Sequence, residues 1–321
     1  DTPYIKYNSK FEKASWSEVF NIIKSKFKNA NKEKICGISG DLVNMETLYI
    51  FKEFFNKTLG SSNIESRNGH TYLNPSKREN YLFNSKINGI EESDFIFLIG
   101  TNPRYESTIL NSRIRKAYLQ NKIKIISLNE IGDLTFPYES LNGDIENIKE
   151  IIEDRHEVSK LIKNAKKPLI IFGQSLLKSK SSKFVFESIK SFLIKNDKIS
   201  NEWNSFNIIS ENASCVGSFD LGIYKTENGS NEILQGLEKN NFEIIYLLGQ
   251  DNINFNKKNE FIIYQGSHGD KGAQIADVIL PGAAYTEQNG FFTNLEGKLQ
   301  KAHKASYPPG DAKEDWVIFN E

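Results

Sequence analysis

The feature that most constrains the fold is a series of seven short apolar runs that mostly lack polar alternation. A strand with one face in water alternates apolar and polar residues, whereas a strand covered on both faces reads as a continuous apolar run. Most of these runs therefore predict parallel strands sandwiched between helices. The runs are Ile35–Ile38, Phe95–Ile99, Ile123–Leu128, Leu169–Phe172, Ile244–Leu248, Phe261–Tyr264 and Val278–Leu280.

Helical patterns lie between these runs. Ser15 and Glu18 form a capping box before a helical apolar pattern, and Glu46–Leu59 is predicted as a helix that stops at Gly60. Strand–helix alternation along the whole chain predicts an α/β protein built from doubly wound units. Further helices are predicted over Glu106–Leu119, Ile145–Asn164, Ser182–Ile194, Trp203–Ala213 and Asn231–Lys239.

A weak internal repeat indicates two similar domains. The segments SDFIFLIGTNPR at 93–104 and NFEIIYLLGQDN at 241–252 both read as a buried strand followed by a loop of Gly, polar residues and Asn. We therefore expect a first α/β domain at 1–155, completed by 261–321, and a second α/β domain at 156–260.

Composition argues against several classes of protein. The chain has 321 residues, with 41 basic and 41 acidic side chains, whereas general nucleic-acid binding rests on an excess of Lys and Arg. The two cysteines, Cys36 and Cys215, form no CxxC or Cys/His cluster, so this chain alone is not expected to hold zinc or an iron–sulfur cluster. No apolar run approaches the roughly 20 residues that span a bilayer, and we expect no direct membrane span.

The loop from Gly100 to Arg104 is the first candidate ligand site. Open α/β sheets bind ligands beyond the carboxyl ends of their strands, where Asn102 could hydrogen-bond a nucleotide and Arg104 a phosphate. The alternative is a turn in which Pro103 starts a helix. The sequence contains neither GxGxxG nor GxxxxGK(S/T), so NAD-type and P-loop sites are not predicted.

The stretch Glu260–Gln300 is the second candidate site. His268 and Asp270 lie in a glycine-flanked loop and could form an acid–base or ligand pair. The alternative is that they only shape a turn. The segment that follows is dense in polar and turn-forming residues, yet none of them is an obvious catalyst.

Several segments carry a family resemblance. They are GIEESDFIFLIGTNPRYESTILNSRIRKAYL at 89–119, KKPLIIFGQS at 166–175, FIIYQGSHGDKGAQIADVILPGAAYTE at 261–287, Asn294–Gly297, and PPGDAKEDW at 308–316. With these segments the chain resembles the C-terminal part of the large iron–sulfur subunit of respiratory complex I. The wider fold is that of molybdopterin-dependent oxidoreductases, which implies two doubly wound Rossmann-like domains with mostly parallel sheets.

The resemblance implies a pterin pocket that has lost its cofactor. A metal–pterin site needs a Cys, selenocysteine or Ser ligand on the loop near Ile64–Pro75, where Ser66 is the candidate. We expect no cofactor and no metal in this chain; the iron–sulfur clusters of the family are expected in an N-terminal region absent here or in a partner chain. No catalytic residue is expected, and the candidates for the relic pocket are Gly100, Asn102, Arg104, His268, Asp270 and Asn294.

The resemblance also implies a structural role in the peripheral arm of complex I. We expect the chain to brace the cluster-bearing region and to contact other peripheral-arm subunits, on the matrix side of the mitochondrial inner membrane or on the bacterial cytoplasmic face. The helix Glu106–Asn121, with Arg104, Arg113 and Arg115, is the expected partner-facing surface. His268, Asp270 and Glu287 would then be structural hydrogen-bonding groups.

Two alternatives remain open. One is a molybdopterin-dependent oxidoreductase subunit related to formate dehydrogenase, which metal analysis would reveal. The other is a stand-alone nucleotide-binding module, which a nucleotide at the Gly100 or Gly249 loop would support.

Overall fold

The computed structural model describes residues 1–67 and 69–321, and it contains two sheets that are mostly parallel. A separate hairpin completes the strands of the described residues. The strands are β1 (Tyr4–Tyr7), β2 (Lys10–Lys13), β3 (Ile35–Ser39), β4 (Ile64–Glu65), β5 (Phe95–Ile99), β6 (Lys124–Ser127), β7 (Glu139–Ser140), β8 (Pro168–Phe172), β9 (Phe206–Ile208), β10 (Ile244–Leu248), β11 (Phe261–Gly266), β12 (Val278–Pro281), β13 (Gly290–Thr293) and β14 (Leu299–Ala302).

The larger sheet has seven strands in the order β2-β1-β12-β11-β10-β3-β4. Its strands from β12 to β4 run parallel, and β1 and β2 add an antiparallel edge. The smaller sheet has the order β7-β6-β5-β8-β9 and is parallel throughout. The hairpin consists of β13 and β14.

The seven predicted strands are confirmed as members of these two sheets. The core explains why they read as apolar runs, because hydrophobic clusters cover both faces of each sheet. On β10, Tyr246 packs with Phe51 and Phe55 on one face, whereas Ile245 packs with Cys36 on the other. Among the strands that sequence patterns missed, β4 and β7 are two residues long, and β2 and β14 have exposed polar positions.

Helices connect and cover the strands. The predicted capping box is present, because the Ser15 hydroxyl accepts from the Glu18 amide at 3.3 Å while the Glu18 carboxylate accepts from the Ser15 amide at 2.7 Å. None of the helices in the described part of the chain is long and apolar enough to cross a membrane. The α-helices are α1 (Trp16–Asn29), α2 (Met45–Glu53), α3 (Pro103–Glu106), α4 (Thr108–Asn121), α5 (Ile145–Ile152), α6 (Glu157–Asn164), α7 (Gln174–Leu177), α8 (Ser182–Lys195), α9 (Cys215–Asp220), α10 (Glu232–Glu238), α11 (Lys271–Ile275) and α12 (Asp315–Asn320).

Two helix predictions need correction. The segment Trp203–Ala213 is not a helix; it contains β9, whose three residues are buried beside β8. Its apolar residues suit a short buried strand as well as a helix, which periodicity alone cannot separate. The predicted helix Ile145–Asn164 is two helices, because Asp154 adopts a left-handed φ of 63° and His156 caps a new start.

The sequence-based domain limits do not follow the sheets. The expected boundary at residue 155 falls between β7 and β8, which belong to the same sheet, and β10 from the expected second domain pairs with β3 from the first. The chain starts the larger sheet, leaves to build the smaller one, and returns to complete the larger. Local patterns could not reveal this, since β3 and β10 pair across more than 200 residues of intervening chain.

Candidate functional site

Two equivalent strand ends result from the internal repeat. Gly100 follows β5 and Gly249 follows β10, and both glycines adopt left-handed φ values, +61° and +57°. Each strand lies inside its sheet between parallel neighbours, so both glycines lie where open α/β sheets bind ligands. The two ends have different surroundings.

The chain itself fills the strand end at Gly100. The Gly100 carbonyl accepts from the Ser175 amide at 3.1 Å and from the Ser175 hydroxyl at 2.8 Å. A Cβ added at Gly100 would lie 2.5 Å from the backbone nitrogen of Leu176. The Glu106 carboxylate links the two loops by accepting from the Asn102 and Gln174 amides at 2.7 and 3.0 Å. We call Gly100–Glu106 with Gln174–Leu177 the filled strand end.

The polar candidates of this loop are engaged within the chain. The Asn102 side chain accepts from the Arg104 amide at 3.1 Å and donates to the Ile131 carbonyl at 2.7 Å. The Arg104 guanidinium donates to the Asp133 carboxylate at 2.7 Å. A hydrogen bond from the Thr135 amide and then the Arg104 charge lower the pKa of Asp133. The geometry is that of a turn in which Pro103 begins α3.

The strand end at Gly249 opens instead onto a cavity of about 340 Å³. The cavity lies at the carboxyl ends of β3, β10, β11 and β12, and we call it the sheet-end cavity. Its lining includes His268 and Asp270, two of the sequence candidates. The lining residues used below are Gly249, Asp251, Tyr264, Ser267, His268, Asp270, Gln288 and Asp315.

One side of the sheet-end cavity contains Asp251 and Tyr264. The Tyr264 hydroxyl lies 3.0 Å from Asp251 Oδ2 and 2.8 Å from the His268 carbonyl oxygen. Burial raises the pKa of Asp251, and its Oδ1 atom is buried without a partner among the described residues. The His268 side chain is exposed, and its Nδ1 atom lies 2.9 Å from the Ser267 hydroxyl. The Asp270 side chain is exposed as well. The fold therefore does not hold His268 and Asp270 together as a buried acid–base pair.

The opposite side is built on Asp315, which sequence reasoning did not single out. Asp315 is buried and accepts from the Gln265 and Gln288 side-chain amides at 2.9 and 3.1 Å. Burial raises the pKa of Asp315 to about 6. The Gln288 Oε1 atom is buried without a partner in the described structure. No local pattern marks Asp315, since its burial depends on α12 returning to the end of β11.

Asn294 and Glu287 shape turns outside this network. Asn294 Oδ1 accepts from the Glu296 and Lys298 amides at 3.2 and 2.9 Å in the turn between β13 and β14. The Leu295 carbonyl in that turn accepts from the Phe83 amide at 2.8 Å, so the hairpin ties the last part of the chain to the smaller sheet's side. Glu287 accepts from the Ala284 amide at 2.9 Å. The sequence candidates therefore occupy three separate places.

A second polar cavity has a volume of about 320 Å³. It is lined by residues from loops that connect strands of both sheets. We call it the inter-sheet cavity. It is lined in part by Ser66, Arg67 and Cys215. Arg67 is buried with Glu65 in a bidentate ion pair, with Nε–Oε1 and Nη2–Oε2 distances of 2.8 and 2.7 Å. Such a pair leaves no free charge, because the desolvated guanidinium is fully matched.

The Ser66 and Cys215 side chains of the inter-sheet cavity are poor ligands for the metal of a metal–pterin centre. The Ser66 hydroxyl donates to the Ile223 carbonyl at 3.0 Å and accepts from the Ser218 hydroxyl at 2.8 Å. Burial raises the pKa of the Cys215 thiol to about 11, so the thiolate that binds metals is disfavoured at neutral pH. No group of three or more His, Cys, Asp or Glu side chains in the described ranges could hold a metal ion. Asn68 of this loop lies outside the described residues.

Comparisons with known sequences show which proteins this chain is similar to. The family model described as molybdopterin oxidoreductase matches residues 1–321. The chain is 41% identical to the NADH-ubiquinone oxidoreductase 75 kDa subunit of Reclinomonas americana over 99% of its length and 48% of the relative's. It is 40% identical to the mitochondrial NADH-ubiquinone oxidoreductase 78 kDa subunit of Candida albicans, over 99% of this chain and 44% of that protein. The chain therefore spans just under half the length of these relatives.

A bacterial relative shows the same pattern. The chain is 38% identical to an NADH-quinone oxidoreductase component of Rickettsia bellii, over 100% of this chain and 46% of that protein. The relatives thus include both mitochondrial and bacterial proteins.

Solved structures share the fold at low sequence identity. A chain of the formyltransferase/hydrolase complex from Methylorubrum extorquens, in complex with methylofuran, superposes with a TM-score of 0.70 at 10% identity, covering 99% of this chain and 97% of that one. Acetylene hydratase from Pelobacter acetylenicus superposes with a TM-score of 0.51 at 12% identity, covering 99% and 60%. At these identities the likeness concerns the fold alone.

Proposed function

This chain belongs to the molybdopterin oxidoreductase family, and from that premise we propose that it is a structural, cofactor-less piece of the peripheral arm of respiratory complex I. The observation that carries the proposal is the identity of about 40% to complex I subunits along the entire chain. The α/β fold with mostly parallel sheets, predicted from the sequence, is confirmed.

The role we assign is to brace the region that carries the iron–sulfur clusters, so that electrons pass from NADH to ubiquinone along a rigid path. The clusters would belong to an N-terminal region or to a partner chain. Two features suit a brace: the buried Glu65–Arg67 pair beside the inter-sheet cavity and the hairpin that ties the last part of the chain to the smaller sheet's side. The place we propose is the matrix side of the mitochondrial inner membrane, with the bacterial cytoplasmic face as the alternative.

A molybdopterin-dependent oxidoreductase, such as a formate dehydrogenase relative, is the competing function. The engaged Ser66 hydroxyl and the raised pKa of the Cys215 thiol argue against it, since neither offers a ready metal ligand. Metal analysis of the purified complex separates the two functions. Stoichiometric molybdenum or tungsten bound through this chain would favour the enzyme, and its absence from an active complex would favour the brace.

The partner surface we propose differs in detail from the arginine face expected from the sequence. Arg104 binds Asp133, Arg113 binds Glu91 at 2.7 Å, and Arg115 donates to the Thr135 carbonyl at 3.2 Å. The most exposed large hydrophobic side chains on α3 and α4 are Tyr105, 81% exposed, and Ile109, 72% exposed. Tyrosine is one of the residue types enriched at binding hot spots.

Co-purification tests this surface. The double variant Tyr105→Glu/Ile109→Glu should lower the amount of chain recovered with the peripheral arm by about tenfold, because charges would replace buried anchors. Ile194→Glu is the matched control, since Ile194 is an exposed aliphatic residue on α8. Equal recovery of both variants at wild-type level would refute the surface. Thermal unfolding of each variant would verify that the chain itself still folds.

A further inference from the structure

An apolar groove on the larger sheet's side is separate from both strand ends. It has a volume of about 560 Å³ and shares no lining residue with the sheet-end cavity or the inter-sheet cavity. Its walls are one face of α1, the π-helical turn Phe54–Leu59 that extends α2, and the end of α12. The partly buried apolar side chains in its walls are Phe20, Phe27, Ala30, Phe54, Leu59 and Phe319.

The lining residues of α1 lie on one face of that helix. Phe20, Ile23, Lys24 and Phe27 follow the i, i+3, i+4, i+7 spacing of one helix face. Ile23 is buried against the sheet, whereas Phe20 and Phe27 keep part of their surface in solvent. An apolar stripe of this kind is normally covered in a surface helix, so the groove offers apolar surface for another element to bury.

The free charges at the rim are positive. Lys24 and Lys28 line the groove, lie one helical turn apart and are exposed. Neither forms an ion pair or a hydrogen bond with any of the described residues through its side chain. The carboxylate in the lining, Glu321, is bound to Lys313. An occupant with acidic flanks would therefore meet two unmatched ammonium groups.

We propose that this groove binds an amphipathic helix of another polypeptide, with an apolar face toward Phe20 and Phe27 and carboxylates beside Lys24 and Lys28. Laying an amphipathic helix into an apolar groove is a recurrent mode of recognition. The α1 lining from Phe20 to Lys28 is about 12 Å long at 1.5 Å per residue, which matches about two turns of the occupant. This inference concerns a different face from the proposed Tyr105 and Ile109 surface and does not depend on it.

Two synthetic helices provide the test. Both carry leucines at i, i+3, i+4 and i+7; one carries Glu on the flanks of this stripe and the other Lys. Binding to the full chain is measured by fluorescence anisotropy. We expect the Glu peptide to bind at least about fivefold more tightly than the Lys peptide, because the two ammonium groups attract the carboxylates of the first and repel the ammonium groups of the second.

Charge reversal at the rim sharpens the test. Lys24→Glu/Lys28→Glu should abolish or invert the preference between the peptides. The control Lys10→Glu/Lys13→Glu has the same change in net charge on β2, whose residues are all exposed, and should keep the preference. Equal affinity of both peptides, no binding of either, or the same loss in the control variant would overturn the proposal. Thr58 is an exposed residue of the groove lining. Self-association of the chain through the groove, seen as a dimer that Thr58→Arg disrupts, would overturn the proposal in favour of a second copy.

Discussion

The filled strand end and the sheet-end cavity derive from the same sequence pattern, a buried strand, a left-handed glycine, polar residues and an asparagine. At Gly100 the chain returns as α7, and the Gly100 carbonyl and the Gln174 amide are hydrogen-bonded across the two loops, while the Thr101 hydroxyl is buried without a partner among the described residues. At Gly249 no such segment returns among the described residues, and buried acceptor atoms remain on Asp251 and Gln288. The difference teaches that a strand-end motif marks where a site can form, whereas the rest of the chain decides whether a cavity exists there.

The pKa values of the carboxyl groups also differ between the filled strand end and the sheet-end cavity. Asp133 at the filled end is exposed, and hydrogen bonding and an arginine lower its pKa. Asp251 and Asp315 at the sheet-end cavity have raised pKa values because burial disfavours their charged forms. Raised pKa values often accompany function, but here the carboxyl groups face amides and a tyrosine, and the described residues contain no group of three or more His, Cys, Asp or Glu side chains that could hold a metal ion.

The largest expected difference comes from one methyl group at each glycine. Gly100→Ala should lower the free energy of unfolding by about 3–5 kcal/mol, because the new Cβ meets the Leu176 backbone in addition to the cost of a left-handed alanine. Gly249→Ala should cost only about 1–2 kcal/mol, since its Cβ would lie 3.5 Å from Val43, an ordinary contact. Urea unfolding of both variants measures the difference; equal losses would mean that the two ends are packed alike.

The next largest effect is a pH dependence that belongs to the sheet-end cavity. The pKa of Asp315 is about 6 in the folded chain against 3.8 for the ordinary group. The contribution of the Asp315 carboxyl to the free energy of unfolding is therefore fully present below pH 3.8. This contribution, on the order of 3 kcal/mol, is lost as the pH rises through about 6. Asp315→Asn removes the titration, so the difference in unfolding free energy between wild type and variant should change between pH 4 and 7.5. A constant difference across that range would contradict the raised pKa of the buried Asp315 carboxyl.

Removal of a carboxylate charge should also affect the two ends unequally. Glu106→Gln should destabilise the chain by about 1–3 kcal/mol, because two backbone amides of the filled end lose a charged acceptor. Asp251→Asn should change stability by less than about 1 kcal/mol or raise it, since it replaces a partly buried charge. Thermal denaturation at pH 7.5 compares them; a larger loss for Asp251→Asn would reverse the comparison.

The smallest effect is expected at the rim of the filled end. Arg104→Ala should cost less than about 1 kcal/mol, because the Arg104–Asp133 pair is exposed and its charges are screened by water. The loss should shrink further in 0.5 M salt. A loss above about 2 kcal/mol, measured by urea unfolding at both salt concentrations, would mean that Arg104 is more deeply integrated than its exposure indicates.

How far the sequence could predict this molecule follows from what each signal measures. Strands that are buried on both faces have continuous apolar sequences, as in Phe95–Ile99 and Ile244–Leu248, so these strands could be predicted from the sequence. The pairing of β10 with β3 could not, because it joins distant segments without a local signature. The two glycines were visible, but the α7 segment that fills one end was not. Asp315 was hidden for the same reason, since α12 acquires its environment only when it returns to β11.

The most direct test of the central claim, that this chain supports complex I by structure without chemistry at its cavity, uses the triple variant Asp251→Asn/His268→Ala/Asp270→Asn. It removes the charged and imidazole groups of one side of the sheet-end cavity while the Tyr264–His268 backbone contact can persist. NADH:quinone turnover per assembled complex should stay within about twofold of wild type. Full assembly with turnover reduced more than about tenfold would contradict the claim and assign chemistry to the cavity.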